Sequence, residues 1–151
     1  SFGRNGNDLG GLYKTGDQDV PVPGNAGYYM VAVNFQSGEI SMAPPAVYLI
    51  GATVTSWEVI NPLNRLSVDN SKKALTAFRP LSGGDIRMYA WDPEGWFTNW
   101  WDAEFNLING KIVYRGKGFN LPSVTITAGV YTLTLNFTTG EGNLERCACS
   151  D

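Results

Sequence analysis

Hydrophobic and polar positions alternate strictly over two stretches of this chain. Residues 128–141 read AGVYTLTLNFTTGE, with Tyr131, Leu133, Leu135 and Phe137 on one side and Thr132, Thr134 and Asn136 on the other. Residues 26–39 read AGYYMVAVNFQSGE, and there Tyr29, Val31, Val33 and Phe35 share a side. Successive side chains of an extended chain point to opposite faces, so each stretch predicts a β-strand with one buried face. Laid together without a gap, Ala26, Gly27, Tyr29, Asn34, Phe35, Gly38 and Glu39 recur as Ala128, Gly129, Tyr131, Asn136, Phe137, Gly140 and Glu141. A Gly-containing hairpin region precedes each copy (Gly10-Gly11, then Asn109-Gly110), and a short Val-containing strand follows it (Val20 to Val22, then Val124 to Ile126). Such self-similarity marks a repeated unit, and a spacing of about one hundred residues suits a β-sandwich domain. The competing reading is a single sandwich with two similar hairpins.

The pattern predicts further strands over Val47 to Gly51, Leu75 to Leu81, Asp85 to Trp91, Glu104 to Ile108, Lys111 to Tyr114, Ser123 to Thr127 and Val130 to Phe137. Asn109-Gly110 predicts a tight type I′ hairpin, because both residues tolerate positive φ. A short turn of helix around Asn64 to Lys73 is the one helical reading. Pro44-Pro45 stiffens the chain and removes two backbone donors, which suits a linker. The expected fold class is all-β, an immunoglobulin-like antiparallel β-sandwich of two sheets. Residues 1–43 are expected to be the C-terminal strands of a preceding repeat, 44–46 the linker, 46–145 a complete domain and 146–151 a tail. The chain opens in mid-pattern at Ser1, which reads as a mature fragment.

Composition narrows the chemistry. The 18 Gly and 8 Pro supply the turns that many short strands need. A net charge of −3 offers no clustered positive patch for nucleic acid. No apolar run approaches the ~18 residues of a membrane span. With no histidine, a Ser-His-Asp triad is excluded, and Cys147 and Cys149 alone give no metal site. The two cysteines are expected in a flexible tail without a role. No cofactor is expected. Asp92, Glu94, Asp102 and Glu104 cluster, but solvated loop charges are commoner than the facing carboxylates of a glycosidase, so no catalytic residue is assigned.

The five tryptophans all lie after residue 56, four of them in Trp91-Asp-Pro-Glu-Gly-Trp96-Phe-Thr-Asn-Trp100-Trp101. A core takes one or two indoles easily; four in one Pro- and Gly-containing loop are harder to bury. Aromatic faces stack on the apolar face of a pyranose ring while polar neighbours bind its hydroxyls, and they also anchor protein interfaces. Alternation puts Arg87, Tyr89 and Trp91 on one face, away from the core. One of Trp100 and Trp101 is expected to face the core, because neighbours in an extended chain diverge. Trp57 either joins the platform or caps the core. The second function class is a structural spacer that docks on a protein partner through this Trp-rich surface.

Several segments together resemble the SusE/SusF family of outer-membrane glycan-binding proteins: Val47-Tyr48-Leu49-Ile50-Gly51 ending at Trp57, Gly83-Gly84 before Ile86-Arg87-Met88, and Asn99-Trp100-Trp101-Asp102-Ala103-Glu104-Phe105 followed by Asn109-Gly110-Lys111-Ile112-Val113-Tyr114-Arg115-Gly116. The closing strand from Ala128-Gly129 to Phe137 resembles that family too, and residues 10–40 resemble the same segment of a preceding domain. The resemblance implies tandem sandwich domains at the outer-membrane surface, tethered by an N-terminal lipid anchor outside this chain. It implies binding of starch or another polysaccharide without cleavage, within an uptake system that includes a transporter and companion binding proteins. It also implies a site of stacking aromatics and polar groups: Trp57, Trp91, Trp96, Trp100 and Trp101, with Arg87, Asn99 and Lys111.

Overall fold

In the computed structural model the described residues are 2–4, 12–15, 18–19, 25–93 and 95–148, with side chains described from residue 25 onward. The expected Gly10-Gly11 hairpin and the strand Val20 to Val22 lie outside them, as do Glu94 and Cys149. Strands β1 (Phe2–Arg4), β2 (Leu12–Thr15), β3 (Gln18–Asp19), β4 (Met30–Asn34) and β5 (Glu39–Ala43) form one antiparallel sheet in the order β3-β1-β2-β5-β4. Residues 44–46 then lead into β6 (Val47–Ile50). Two of these residues are tied to the segments that follow, since Arg65 donates to the Pro45 carbonyl at 3.0 Å and the Trp91 N–H to the Ala46 carbonyl at 2.9 Å.

The remaining strands are β7 (Ser67–Asp69), β8 (Ala74–Leu81), β9 (Gly84–Asp85), β10 (Arg87–Ala90), β11 (Glu104–Ile108), β12 (Lys111–Tyr114), β13 (Thr125–Ile126), β14 (Gly129–Asn136) and β15 (Glu141–Arg146). Eight of them make one antiparallel sheet, β6-β10-β11-β12-β15-β14-β8-β7, and β9 pairs with β13 beside it. The two faces of the sandwich are therefore limbs of a single curled sheet. They meet at one residue pair, Lys111 with Glu141, where the Gly142 N–H donates to the Gly110 carbonyl and the Ile112 N–H to the Gly140 carbonyl. Val47, Leu49, Met88 and Phe105 from one limb close against Leu75, Leu81, Leu133 and Leu135 from the other. Each is at most 4% exposed, which makes this the dry centre of the domain.

The alternating strands fall where their patterns place them. Asn109 and Gly110 both take positive φ, 51° and 75°, as a type I′ hairpin requires. Three expectations are corrected. The segment Asp85 to Trp91 is not one strand; it breaks at Ile86, whose N–H donates to Val124, so β9 and β10 join different sheets. The turn of helix is confined to Pro62–Asn64, and Ser67–Asp69 forms an edge strand on β8. The tail is ordered further than expected: β15 runs through Arg146, whose guanidinium donates to the Ala128 carbonyl, and the Cys147 N–H bonds Val130.

The repeated motif is a repeated geometry. In β4–β5 the Gly38 N–H donates to the Asn34 carbonyl at 2.9 Å; in β14–β15 the Gly140 N–H donates to Asn136 at 2.9 Å. The Asn34 side-chain oxygen accepts the N–H groups of Gln36 and Ser37, and that of Asn136 accepts those of Thr138 and Thr139. The Tyr29 hydroxyl donates to Asn25 at 2.9 Å and the Tyr131 hydroxyl to Thr127 at 2.8 Å, each four residues back. Burial does not repeat. Tyr131, Leu133 and Leu135 are buried as their alternation predicts, whereas Val31 is 51% and Phe35 86% exposed. The buried face expected for residues 29–35 is thus largely open, because β4 is an edge strand with only β5 beside it among the described residues.

Candidate functional site

The outward face of β6 and β10 carries a second, smaller cluster. Tyr48, Ile50 and Tyr89 are buried there, with Ala46, Trp91 and Trp100 packed over them. Alternation did place Arg87, Tyr89 and Trp91 opposite the main core, but Tyr89 is 0% exposed and forms the floor of the site. Its ring stacks on Tyr48 at 5.6 Å and meets Trp91 edge-on at 6.3 Å and Trp100 at 5.9 Å. Its hydroxyl accepts the Ile60 N–H at 2.7 Å, which ties down the loop after Trp57. Burial pushes the Tyr89 hydroxyl above its ordinary value, partly opposed by that hydrogen bond, so it stays neutral at physiological pH.

Three tryptophans lie above this floor. Trp57 meets Trp100 at 6.2 Å and 48°, and Trp100 meets Trp101 at 5.8 Å and 84°. Trp57 is 61% and Trp101 43% exposed, and the Arg87 guanidinium sits 5.7 Å from the centre of the Trp100 ring. A guanidinium at that distance is attracted to the face of an indole and keeps donors free for a ligand. Neither Trp100 nor Trp101 enters the main core, but the two do diverge: Trp100 packs on the smaller buried cluster and Trp101 is exposed. They occupy a turn of 3-10 helix, Trp100–Ala103, rather than extended chain, so the opposite-faces argument does not apply to them.

Local chemistry fixes both supports. Asp102 accepts the N–H groups of Thr98 and Asn99 and the Thr98 hydroxyl, at 2.9 to 3.3 Å, which caps the turn carrying Trp100 and Trp101. Asn99 is the cap residue of that turn, so its main chain positions the platform. Trp57 leans on Gly51, where a Cβ would meet its ring at 3.3 Å and where φ is 95°. The Gly51 N–H donates to Ser56 at 2.6 Å and the Ser56 N–H to Gly51 at 3.2 Å, closing the loop that returns Trp57 to the sheet. Thr55 and Ile60 in this segment hold φ of 52° and 62°. A β-branched residue there stores strain of order 1–3 kcal/mol, which the surrounding contacts must offset.

The other expected residues are placed elsewhere. Trp91 packs under the platform on Tyr89 and Phe97, and Trp96 lies against Phe97 at 4.4 Å on the side facing the β4–β5 hairpin. Lys111 stands at the far end of the β11–β12 hairpin, paired with Glu141 and away from the indoles. Two of the clustered carboxylates hold structure: Glu104 is 3% exposed and paired with Arg115 at 3.3 Å, and Asp102 is the cap just described; Asp92 is buried. Sequence reading missed Tyr48 and Gly51. The signal for Gly51 was present, as a glycine closing a strand six residues before a tryptophan, but only the fold shows what leans on it.

An antiparallel sandwich with exposed Trp57 and Trp101 on either side of a partly buried Trp100, beside an arginine, has the kind of surface that carbohydrate-recognising β modules present. The family model described as SusF/SusE starch-specific carbohydrate-binding modules matches residues 46–143. The chain belongs to that family. It is 30% identical over 145 residues to the outer membrane protein SusF of Bacteroides thetaiotaomicron, an alignment covering 91% of this chain and 29% of that protein. The crystal structure of SusF from the same organism superposes with a TM-score of 0.63 at 22% identity, over 89% of this chain and 27% of that one, which confirms the fold. The chain thus spans less than a third of the length of the relative it matches.

Proposed function

We propose that this protein binds polysaccharide without cleaving it, at the outer-membrane surface, as one part of a glycan-uptake system. Trp57, Trp100 and Trp101 would stack on sugar rings and Arg87 would donate to their hydroxyls, with Asn99 fixing the turn. The observation that carries this reading is that three indoles and one guanidinium from separate segments converge on one exposed face. Membership of a family described as starch-specific favours an α-glucan. The name of the relative supports an outer-membrane location, with a lipid anchor, a transporter and companion binding proteins as the accompanying expectations. Residues 46–145 are read as the complete binding domain and residues 1–43 as the closing strands of a similar repeat. Several such sites along one protein would hold a polysaccharide through avidity even if each is weak.

Affinity electrophoresis in gels containing starch, pullulan, dextran, mannan or xylan tests this. The chain should be retarded by starch and pullulan. Trp57→Ala, at a position already 61% exposed, should keep its circular dichroism spectrum and weaken retention about tenfold, equivalent to about 1.4 kcal/mol. Unretarded migration in every gel would sink the reading and leave the spacer that docks on a protein.

A further inference from the structure

A groove of about 630 Å³ runs between the β4–β5 hairpin and the sandwich. Its walls are aromatic: Tyr28, Phe35, Trp96, Phe97, Tyr114 and Phe137. Phe35 and Tyr114 are 86% and 61% exposed, so the mouth is open, while Phe97 at 9% lies on the closed side. The Lys117 ammonium hydrogen-bonds the Gln36 side chain across this junction and ties the hairpin to the loop after β12. The volume falls within the range of about 300–1,000 Å³ usual for ligand sites.

One observation connects the groove to the platform, and a second bears on what the groove would take. The same turn, Trp100–Ala103, supplies indoles to the platform and, through Asp102 and Ala103, part of the groove wall. Among the described residues, the Tyr28 hydroxyl and the Trp96 indole N–H also have no hydrogen-bond partner, although both are shielded from water. Unpaired dry donors are costly, and a ligand rich in acceptors would offset that cost. Aromatic walls with free donors match a carbohydrate chain better than a lipid, which would leave those donors unpaired.

We infer that this groove is a second stretch of the glycan-binding surface, which takes the continuation of a chain seated on the Trp57–Trp100–Trp101 platform. The inference rests on the platform reading, and its test separates the two. Isothermal titration with maltotriose and with maltodecaose would be compared for the wild type, Phe35→Ala, Trp96→Phe and Trp57→Ala. Phe35→Ala probes an open wall and Trp96→Phe keeps a ring while deleting the donor. Both should leave maltotriose affinity unchanged and weaken maltodecaose threefold or more, whereas Trp57→Ala should weaken both ligands. Groove variants that bind both ligands like the wild type would overturn the inference and leave the platform standing. An unchanged Trp57→Ala would overturn the platform and the continuation with it, as would a wild type that binds neither ligand. A longer chain gains affinity statistically on the platform alone, so the loss in the groove variants is the deciding observation.

Discussion

The β4–β5 and β14–β15 hairpins share a turn, a tyrosine corner and an alternating sequence, yet they live in different surroundings. Leu133 and Leu135 are 1% and 0% exposed; Val31, the counterpart of Leu133, is 51% exposed. β14 lies between β15 and β8 and faces the opposite limb of the curled sheet, whereas β4 pairs only with β5 among the described residues. The contrast separates what a hairpin owes to its own residues from what it owes to its neighbours. The asparagine-capped turn and the tyrosine hydrogen bond form in both copies, so they are local. Burial occurs in one copy only, so it is tertiary.

The sharpest way to break this comparison is truncation of the shared apolar face. Leu133→Ala should cost about 2–5 kcal/mol in urea unfolding, as buried leucines do. Val31→Ala should stay within about 0.5 kcal/mol, as exposed substitutions do. An equal loss at both positions would mean that the face of β4 is covered in solution. The tyrosine corner comes next. Tyr131→Phe removes a hydrogen bond to Thr127 in a buried setting and should cost about 1 kcal/mol, and Tyr29→Phe, nearer solvent, should cost less in the same titration.

The turn glycines sharpen the comparison from the other side. Gly38 and Gly140 have φ of 74° and 71°, and at Gly140 a Cβ would meet nothing within 4 Å. Alanine at Gly140 should therefore cost only the left-handed backbone term of about 1–2 kcal/mol, and the same substitution at Gly38 should cost a similar amount. A large difference between the two melting temperatures would show that the turns are not equivalent after all.

The smallest effect is expected at the seam of the sheet. Lys111 hydrogen-bonds Glu141 and holds its carboxyl below the ordinary 4.5; the pair is exposed. Because the folded value is the lower one, the contribution is complete above the unfolded value and is withdrawn as pH falls through the folded value. Lys111→Met should flatten the acid limb of the stability profile slightly, and less so in high salt. An acid limb identical to that of the wild type would mean that the pair contributes nothing.

Much of this architecture is legible in the chain. Period-two alternation located β14, whose burial alternates as its sequence does, and the Asn109-Gly110 turn located β11 and β12 on either side of it. Asn109-Gly110 announced its turn because few dipeptides accept two positive φ angles. The edge strand β7 carries little such signal: Ser67 and Val68 are both exposed, so no buried side separates them. The site was legible as an inventory of indoles and an arginine, not as an arrangement. That Trp57, Arg87, Trp100 and Trp101 converge while Lys111 stands apart depends on how β6, β10 and β11 pair and on a capped turn that departs from extended chain.

What the sequence determined by itself is what nearest neighbours enforce: strand periodicity, turns at residues that tolerate positive φ, and the recurrence of one hairpin. The tertiary structure alone decided which of two similar faces is buried, which aromatic residues form a floor and which a surface, and where the two limbs meet. Those outcomes depend on segments tens of residues away, and a pattern of neighbouring residues carries no information about what is packed against it.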